Sequence, residues 1–374
     1  MKESLTISSR FKKNKYKDAF IPLGISALII ILSLLSVFSS LNTLMFDSFL
    51  KIRPELKDDP RILLLDVDDT AIDKLGAWPW PRSYMAEALI TMTEFGAKSV
   101  VFDIEYNTPS PAGINRTYLD RDMKQDFDEK FTDLSSYSSD LFLALKARRI
   151  ELDDADYYLN ELLSFSDITK QELYENVQHL AVDNDEYLAN AIGFFGNVTT
   201  AYSFVNEENK NLTEEERLKL TSHISIDAEQ AAAQRERYID ILPTLIPMIE
   251  KGKLSGFVNV EVDHDGKRRR IMPVETMNGK HYGQLIFITV LEWLGNPEVI
   301  LGNNKITLKG AQYEDGVFDV VIPLESDGTM LVNWPHRSYD DSYKHLSIYY
   351  LVNYNRIQSD LAGDISLLET RDSW

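Results

Sequence analysis

Arg61-Ile62-Leu63-Leu64-Leu65-Asp66-Val67-Asp68-Asp69-Thr70 is the stretch from which the fold can be read. A continuous apolar run that breaks into acids describes a strand covered on both faces, ending at a polar sheet edge. Downstream, Ser83 can cap a helix over 84–95, with Met85, Leu89 and Met92 on one stripe and Gly96 as a left-handed stop. Residues 98–104 then read as a second apolar strand. The spacing suits a right-handed parallel crossover. It would bring Asp66, Asp68, Asp69 and Asp103 to one carboxyl edge, where ligands of open α/β sheets bind.

Between the two strands lies Gly76-Ala77-Trp78-Pro79-Trp80-Pro81-Arg82. Two X-Pro steps stiffen the backbone and hold two indoles and a guanidinium in a fixed relation. As a functional element this loop is a ligand platform rimmed by acids. As a structural one, the favoured reading for the tryptophans, the indoles cap the core and Arg82 neutralises an Asp.

Farther along, alternation over 256–262, a turn at Asp265-Gly266 and a return over 268–273 predict one β-hairpin. Residues 320–324, a turn at Asp327-Gly328 and 329–334 predict a second, with a buried helix over 282–294 between them. The acids from Glu261 to Asp265 resemble the start of a calcium loop, but Met272 stands where the bidentate Glu is needed. Arg268, Arg269 and Arg270 are expected to pair with acids of the lobe or sheet edge rather than with a phosphate.

From 113 to 250 the chain carries 28 acids against 13 bases. Amphipathic segments at 141–149, 153–165, 169–180 and 213–220 mark this block as an acidic helical insertion between two α/β halves. Thr213 and Glu216 fit a capping box.

At the other end, residues 19–41 form an uncharged, mostly apolar run. As a helix its 23 residues would reach roughly 35 Å, enough for a hydrocarbon core of about 30 Å. Lys2, Arg10, Lys12, Lys13, Lys15 and Lys17 precede it, which predicts a cytoplasmic N-terminus. Residues 1–18 are thus expected as a basic cytoplasmic tail, 19–41 as a transmembrane helix and 42–374 as the extracytoplasmic body. The net charge is −20, and a net +4 in the tail leaves −24 outside, which repels nucleic acid. Cysteine is absent, so thiol catalysis and Cys-ligated metals are excluded.

Asp66-Val67-Asp68-Asp69-Thr70 also fits the short signature of haloacid-dehalogenase-type phosphatases, in which the first Asp attacks phosphorus and the second is the general acid. The downstream acidic pair such enzymes need does not follow a later strand. Walker, G-x-S-x-G and dinucleotide patterns are missing, and the six histidines lack metal-ligand spacing. No catalytic residue, metal ligand or cofactor is assigned.

The motifs fall in an order that resembles one family. Asp66 to Asp69, Gly76 to Arg82 and Gly96 to Ile104 resemble the opening of the CHASE type-two sensory domain. Gly256-Phe257-Val258-Asn259, with Asp263, Asp265-Gly266 and Arg269-Arg270, resembles its middle. Ile322-Pro323-Leu324, Asp327-Gly328, Leu331 to Pro335 and His345-Leu346-Ser347-Ile348 resemble its later part. The resemblance covers about 42–112 and 252–350. It implies an α/β sensor facing outward from a bacterial inner membrane, usually coupled to an adenylate/guanylate cyclase or a kinase.

The expected architecture is therefore α/β: a mixed sheet with a parallel strand–helix–strand start, later β-hairpins, a helical insertion and one N-terminal transmembrane helix. After Leu351 the residues read as a polar, mixed segment, so the C-terminal part looks incomplete and no output module is visible. The expected function is signal sensing for a cyclase receptor, with the membrane-anchored phosphatase using Asp66 and Asp68 as the alternative. Candidate ligand-binding residues are Asp66, Asp68, Asp69, Trp78, Trp80, Arg82, Asp103 and Asn259. Expected partners are a small-molecule or periplasmic ligand, the membrane and a second copy of the chain.

Overall fold

The computed structural model describes residues 22–31, 37–114, 118–178, 180–230, 236–314, 316–335 and 337–363. Residues 22–31 and Val37–Ile52 (α1) are helical. The expected membrane span at 19–41 falls partly outside the described residues, as does the tail at 1–18. Among the described residues, no helix is long and apolar enough to cross a membrane.

The chain divides into two units, Met1–Leu64 with Val332–His345, and Leu65–Leu331 with Leu346–Trp374. In the first, α1 leads into an ion-pair network. Arg53 donates to the carbonyl of Trp334, and Arg337 bridges Glu55 at 2.6 Å and Asp58 at 3.1 Å. These contacts tie 53–58 to 333–343.

The second unit is organised around the strand Val198–Val205, almost every residue of which is buried. It pairs in parallel with Val100–Val101 on one side and with Leu254–Phe257 on the other, and its far end runs antiparallel to Asp240–Leu242. Parallel neighbours demand crossover connections packed on the sheet faces. With Ser83–Glu94 (α2) packed beside them, the helices Asn184–Phe195 (α3) and Ile246–Lys251 supply them, and the three bury Leu89, Leu188, Ile192 and Met248 in one cluster. The stripe Met85, Leu89 and Met92 is buried as its spacing requires, and Gly96 has φ +74°.

Several expectations are corrected. The first strand, Leu63–Asp66 (β1), is hydrogen-bonded to Lys344–Ser347 and not to the strand at 100–101. The parallel strand–helix–strand arrangement is present, but Val198–Val205 takes the central place, with partner strands at 100–101, 240–242 and 254–257. Thr200 and Ser255 hydroxyls meet at 2.6 Å. The block 113–250 is therefore not all insertion, since it contains this strand. Its four short helices are fewer and longer: Lys124–Lys146 (α4) and Ala155–Gln178 (α5) form an antiparallel pair. The capping box at Thr213 and Glu216 is formed, opening Glu214–Ile224.

Neither expected hairpin closes as proposed. The turn at 263–267 forms, but Arg270–Ile271 then pairs with Met330–Leu331 rather than returning along 254–257. Arg269 and Arg270 explain this, because both are held back on Asp263, at 2.8 Å in the case of Arg269. These arginines thus pair with acids of their own turn rather than with the helical lobe. Residues 316–323 pair with Lys305–Tyr313, a hairpin the alternation did not reveal. The buried helix spans Leu285–Trp293 (α6), after a strand Lys280–Gly283. Of the polar, mixed segment after Leu351, the described part is helical: Ile348–Gly363 (α7) is a helix whose Leu351 and Val352 join the cluster around Leu89.

Gly256 marks the tightest junction. A Cβ there would lie 2.4 Å from Leu285 Cα and 2.7 Å from its nitrogen, so strand and helix meet backbone to backbone. Because backbone cannot yield as a side chain can, Gly256→Ala is expected to cost at least about 2 kcal/mol. Thermal unfolding of the purified chain checks this; an unchanged midpoint contradicts the close approach.

Candidate functional site

The acids after β1 do local work first. Asp68 is the N-cap of the helix Asp69–Leu75, accepting the Ala71 amide at 2.9 Å. The Ser347 hydroxyl donates to the same carboxylate oxygen at 2.5 Å. That hydrogen bond, opposed by partial burial and aided by the Ala71 amide, holds the Asp68 carboxyl below the usual carboxylate range. Asp66 is half-buried at the strand end, whereas Asp69 and Asp103 are exposed.

The rigid loop splits its two indoles. Trp80 is buried at 5 % exposure, donating from Nε1 to the Gly76 carbonyl at 2.5 Å, whereas Trp78 is 42 % exposed. The rings meet edge to face at 5.3 Å, and the Trp78–Pro79 peptide is cis. Arg82 is committed to structure. Its Nε lies 2.8 Å from Asp185, its terminal nitrogen donates to the Thr108 carbonyl, and its guanidinium sits 4.5 Å over the Tyr106 ring. Asp185 also accepts the Ser110 amide at 2.7 Å, so Arg82 and Asp185 together fasten the 106–110 segment to the first turn of α3. Beyond the loop, Trp80 packs on Tyr84, and Arg356 of α7 lies 4.3 Å over the Tyr84 ring while pairing with Glu87 at 3.1 Å.

Asn259 stands elsewhere. Its amide accepts from Phe204 N at 2.7 Å and donates to Phe204 O at 3.0 Å, acting as one more rung on the central strand. The candidate set therefore separates. Asp68, Trp80, Arg82 and Asn259 are engaged by the fold, and Trp78, Asp69 and Asp103 present exposed groups. Sequence reasoning missed Ser347, Asp185, Tyr106 and Arg356. Ser347 sits within the quoted His345–Ile348 motif, but nothing in that motif names Asp68 as its partner.

Among the described residues, no cluster of three or more His, Asp or Glu side chains could hold a metal ion. Asp68 is occupied by the Ala71 amide and the Ser347 hydroxyl on one carboxylate oxygen, where the phosphatase reading asks for a general acid.

The CHASE2 domain model matches residues 25–368, nearly the whole chain, and so includes β1, the tryptophan loop, the central strand and α7. The chain belongs to the CHASE2 domain family. Comparison with curated proteins and with solved structures finds no match. CHASE2 is an extracellular sensory domain rather than a catalytic one, and this gives the chain a sensor role. The motif Gly256–Asn259 acquires a physical meaning in this CHASE2 chain: the glycine admits α6 and the asparagine extends the sheet.

A second polar cluster lies around Glu275, which is 4 % exposed. Arg237 is 3.9 Å from it and 2.5 Å from Glu261. Burial pushes the Glu275 carboxyl up to about 7; Arg237 opposes this and Glu261 adds to it.

Two outcomes follow from these geometries. Asp68→Asn weakens the cap and the Ser347 tie, and should cost about 1 kcal/mol at pH 7 in chemical denaturation, with Ser347→Ala similar and Asp69→Asn near zero. Because the Asp68 pKa is lowered, this contribution is present above its unfolded value of 3.8 and fades as pH falls through the lower folded value. Glu275 has the opposite sign. The native state retains its proton up to about 7 while the unfolded chain releases it near 4.5, so stability should fall as pH rises across that window. Glu275→Gln should flatten the slope, measured as unfolding midpoint against pH; an equal slope in both proteins contradicts the assignment.

Proposed function

We propose that this chain is the extracytoplasmic signal-receiving region of a bacterial inner-membrane receptor whose output is an adenylate/guanylate cyclase. The observation that carries this reading is the CHASE2 match over 25–368. In it, residues 19–41 cross the membrane once, 1–18 stay in the cytosol and 42–374 face outward. The basic tail supports the orientation. The exposed apolar side chains in the later part of α1, among them Leu44, Phe49 and Ile52, support a membrane-proximal position for residues 42–52.

The ligand is a small molecule or periplasmic factor that meets Trp78 together with Asp69 and Asp103, the candidate residues with exposed groups. It signals by binding two arrangements of the domain unequally, since equal affinity would shift nothing. The phosphatase reading gains no support from the site.

A reporter that is active only outside the cytosol, fused after Trp374 in a bacterial host, should be active; fused ahead of Met1 it should be silent. The reverse pattern would overturn the topology and the sensor orientation with it.

A further inference from the structure

The helix pair α4 and α5 carries most of its acids on one side and most of its exposed apolar side chains on the other, with Ile168 of α5 the exception on the acidic side. Lys130 meets Glu172 at 2.5 Å, Asn176 donates to Asp126 at 3.0 Å and the rings of Tyr137 and Phe165 lie 5.7 Å apart, which fixes the level at which each residue of α4 stands beside α5. At about 100° per residue, the positions flanking these inward contacts can be assigned to one side of the pair or the other. Glu129, Asp133 and Asp140 of α4 share a side with Glu161 and Glu175 of α5. The hydroxyls of Tyr137 and Tyr157, which both meet Glu161, mark the same side.

The opposite side carries Phe131 and Phe142 of α4 and Leu159, Leu163 and Tyr174 of α5. Their exposures run from 48 to 70 %. The charges there are Lys124, Asp128, Lys146, Asp156 and Lys170, a net of +1, on a segment 118–178 that holds 15 acids and 7 bases. Among the described residues α4 has no buried side chain at all. Two helices packed only on each other leave most of their apolar surface wet, whereas four helices close a core.

We propose that this apolar side is a homodimer interface that forms a four-helix bundle with the same side of a second copy. The side is complementary to itself. A two-fold axis parallel to the helices, with the tips of the pairs together, sets α4 against α5 of the second copy at equal level. Phe142 then meets the second copy's Leu159 and Leu163, Phe131 meets its Tyr174, and Lys146 meets its Asp156. Each contact occurs twice, as an isologous interface requires. The two acids on the side that associates, Asp128 and Asp156, are outnumbered by Lys124, Lys146 and Lys170, and the other acids named stay on the side that remains solvated. The inference stands apart from the ligand and output readings.

The test uses the full chain in detergent micelles, with protein mass followed by sedimentation over a dilution series. The wild type should dimerise. Phe142→Glu with Leu163→Glu should raise the dissociation constant at least about 30-fold, as expected for losing central apolar anchors. Far-ultraviolet circular dichroism of both proteins, at a dilution where both are monomeric, should be the same. Asp140→Asn, on the solvated side, should leave association unchanged. Lys146→Glu should weaken it and adding Asp156→Lys should restore it. A wild type that stays monomeric, or a dimer insensitive to Phe142→Glu with Leu163→Glu, overturns the proposal in favour of another occupant of this face. Loss without restoration in the charge-swapped pair overturns the tip-together arrangement.

Discussion

The second unit depends on one strand having no free side. Val198–Val205 is covered on both faces and paired along both edges, so every element that touches it must bring apolar surface or a hydrogen bond. Tyr202 and Phe204 gather Phe257, Ile241 and Tyr282 into an aromatic cluster on one flank. Val198 joins the helical cluster of Leu89 and Leu188. Where the regular ladder runs out, the Asn259 side chain continues it. Two hydroxyl contacts serve the strand: Thr200 meets Ser255 at 2.6 Å, and Thr244, from outside it, donates to the Ala201 carbonyl at 2.8 Å and accepts the Tyr106 amide at 3.1 Å. Buried hydroxyls so paired cost little, and they fix the register in which the neighbours dock.

That strand was also the least legible element. Its Thr-Thr-Ala-Tyr-Ser core gives neither an apolar run nor a period of two, because residues on both faces are buried through mixed chemistry. The elements that could be read were those whose signal is local. The stripe of α2, the stop at Gly96 and the box at Thr213 each depend on neighbours within a few positions. Pairing depends on partners far along the chain, so the turns at 265–266 and 327–328 could be found while their strands were given the wrong mates. The two segments they serve, 270–271 and 330–331, bond to each other. In the helical lobe, periodicity found helix but not its length, since breaks at residues such as Ser166 are tolerated inside a helix whose apolar seam continues.

Of the candidate site, residue identities were legible and their employment was not. A carboxylate after a strand can face a ligand, cap a helix or hold a hydroxyl, and Asp68 does the last two. An arginine after a rigid loop can grip a ligand or a neighbouring acid, and Arg82 grips Asp185 while covering the Tyr106 ring. What remains outward is small: one indole face and two acids.

The bond between Asp68 and Ser347 joins positions 279 residues apart, and the strands 63–66, just ahead of Asp68, and 344–347, which ends on Ser347, lie side by side. The segment that opens the strand–helix unit and the segment that leads into α7 are therefore joined to each other. A chain shortened to end before Lys344 would lose the partner of the first strand and the hydroxyl that Asp68 accepts in one step.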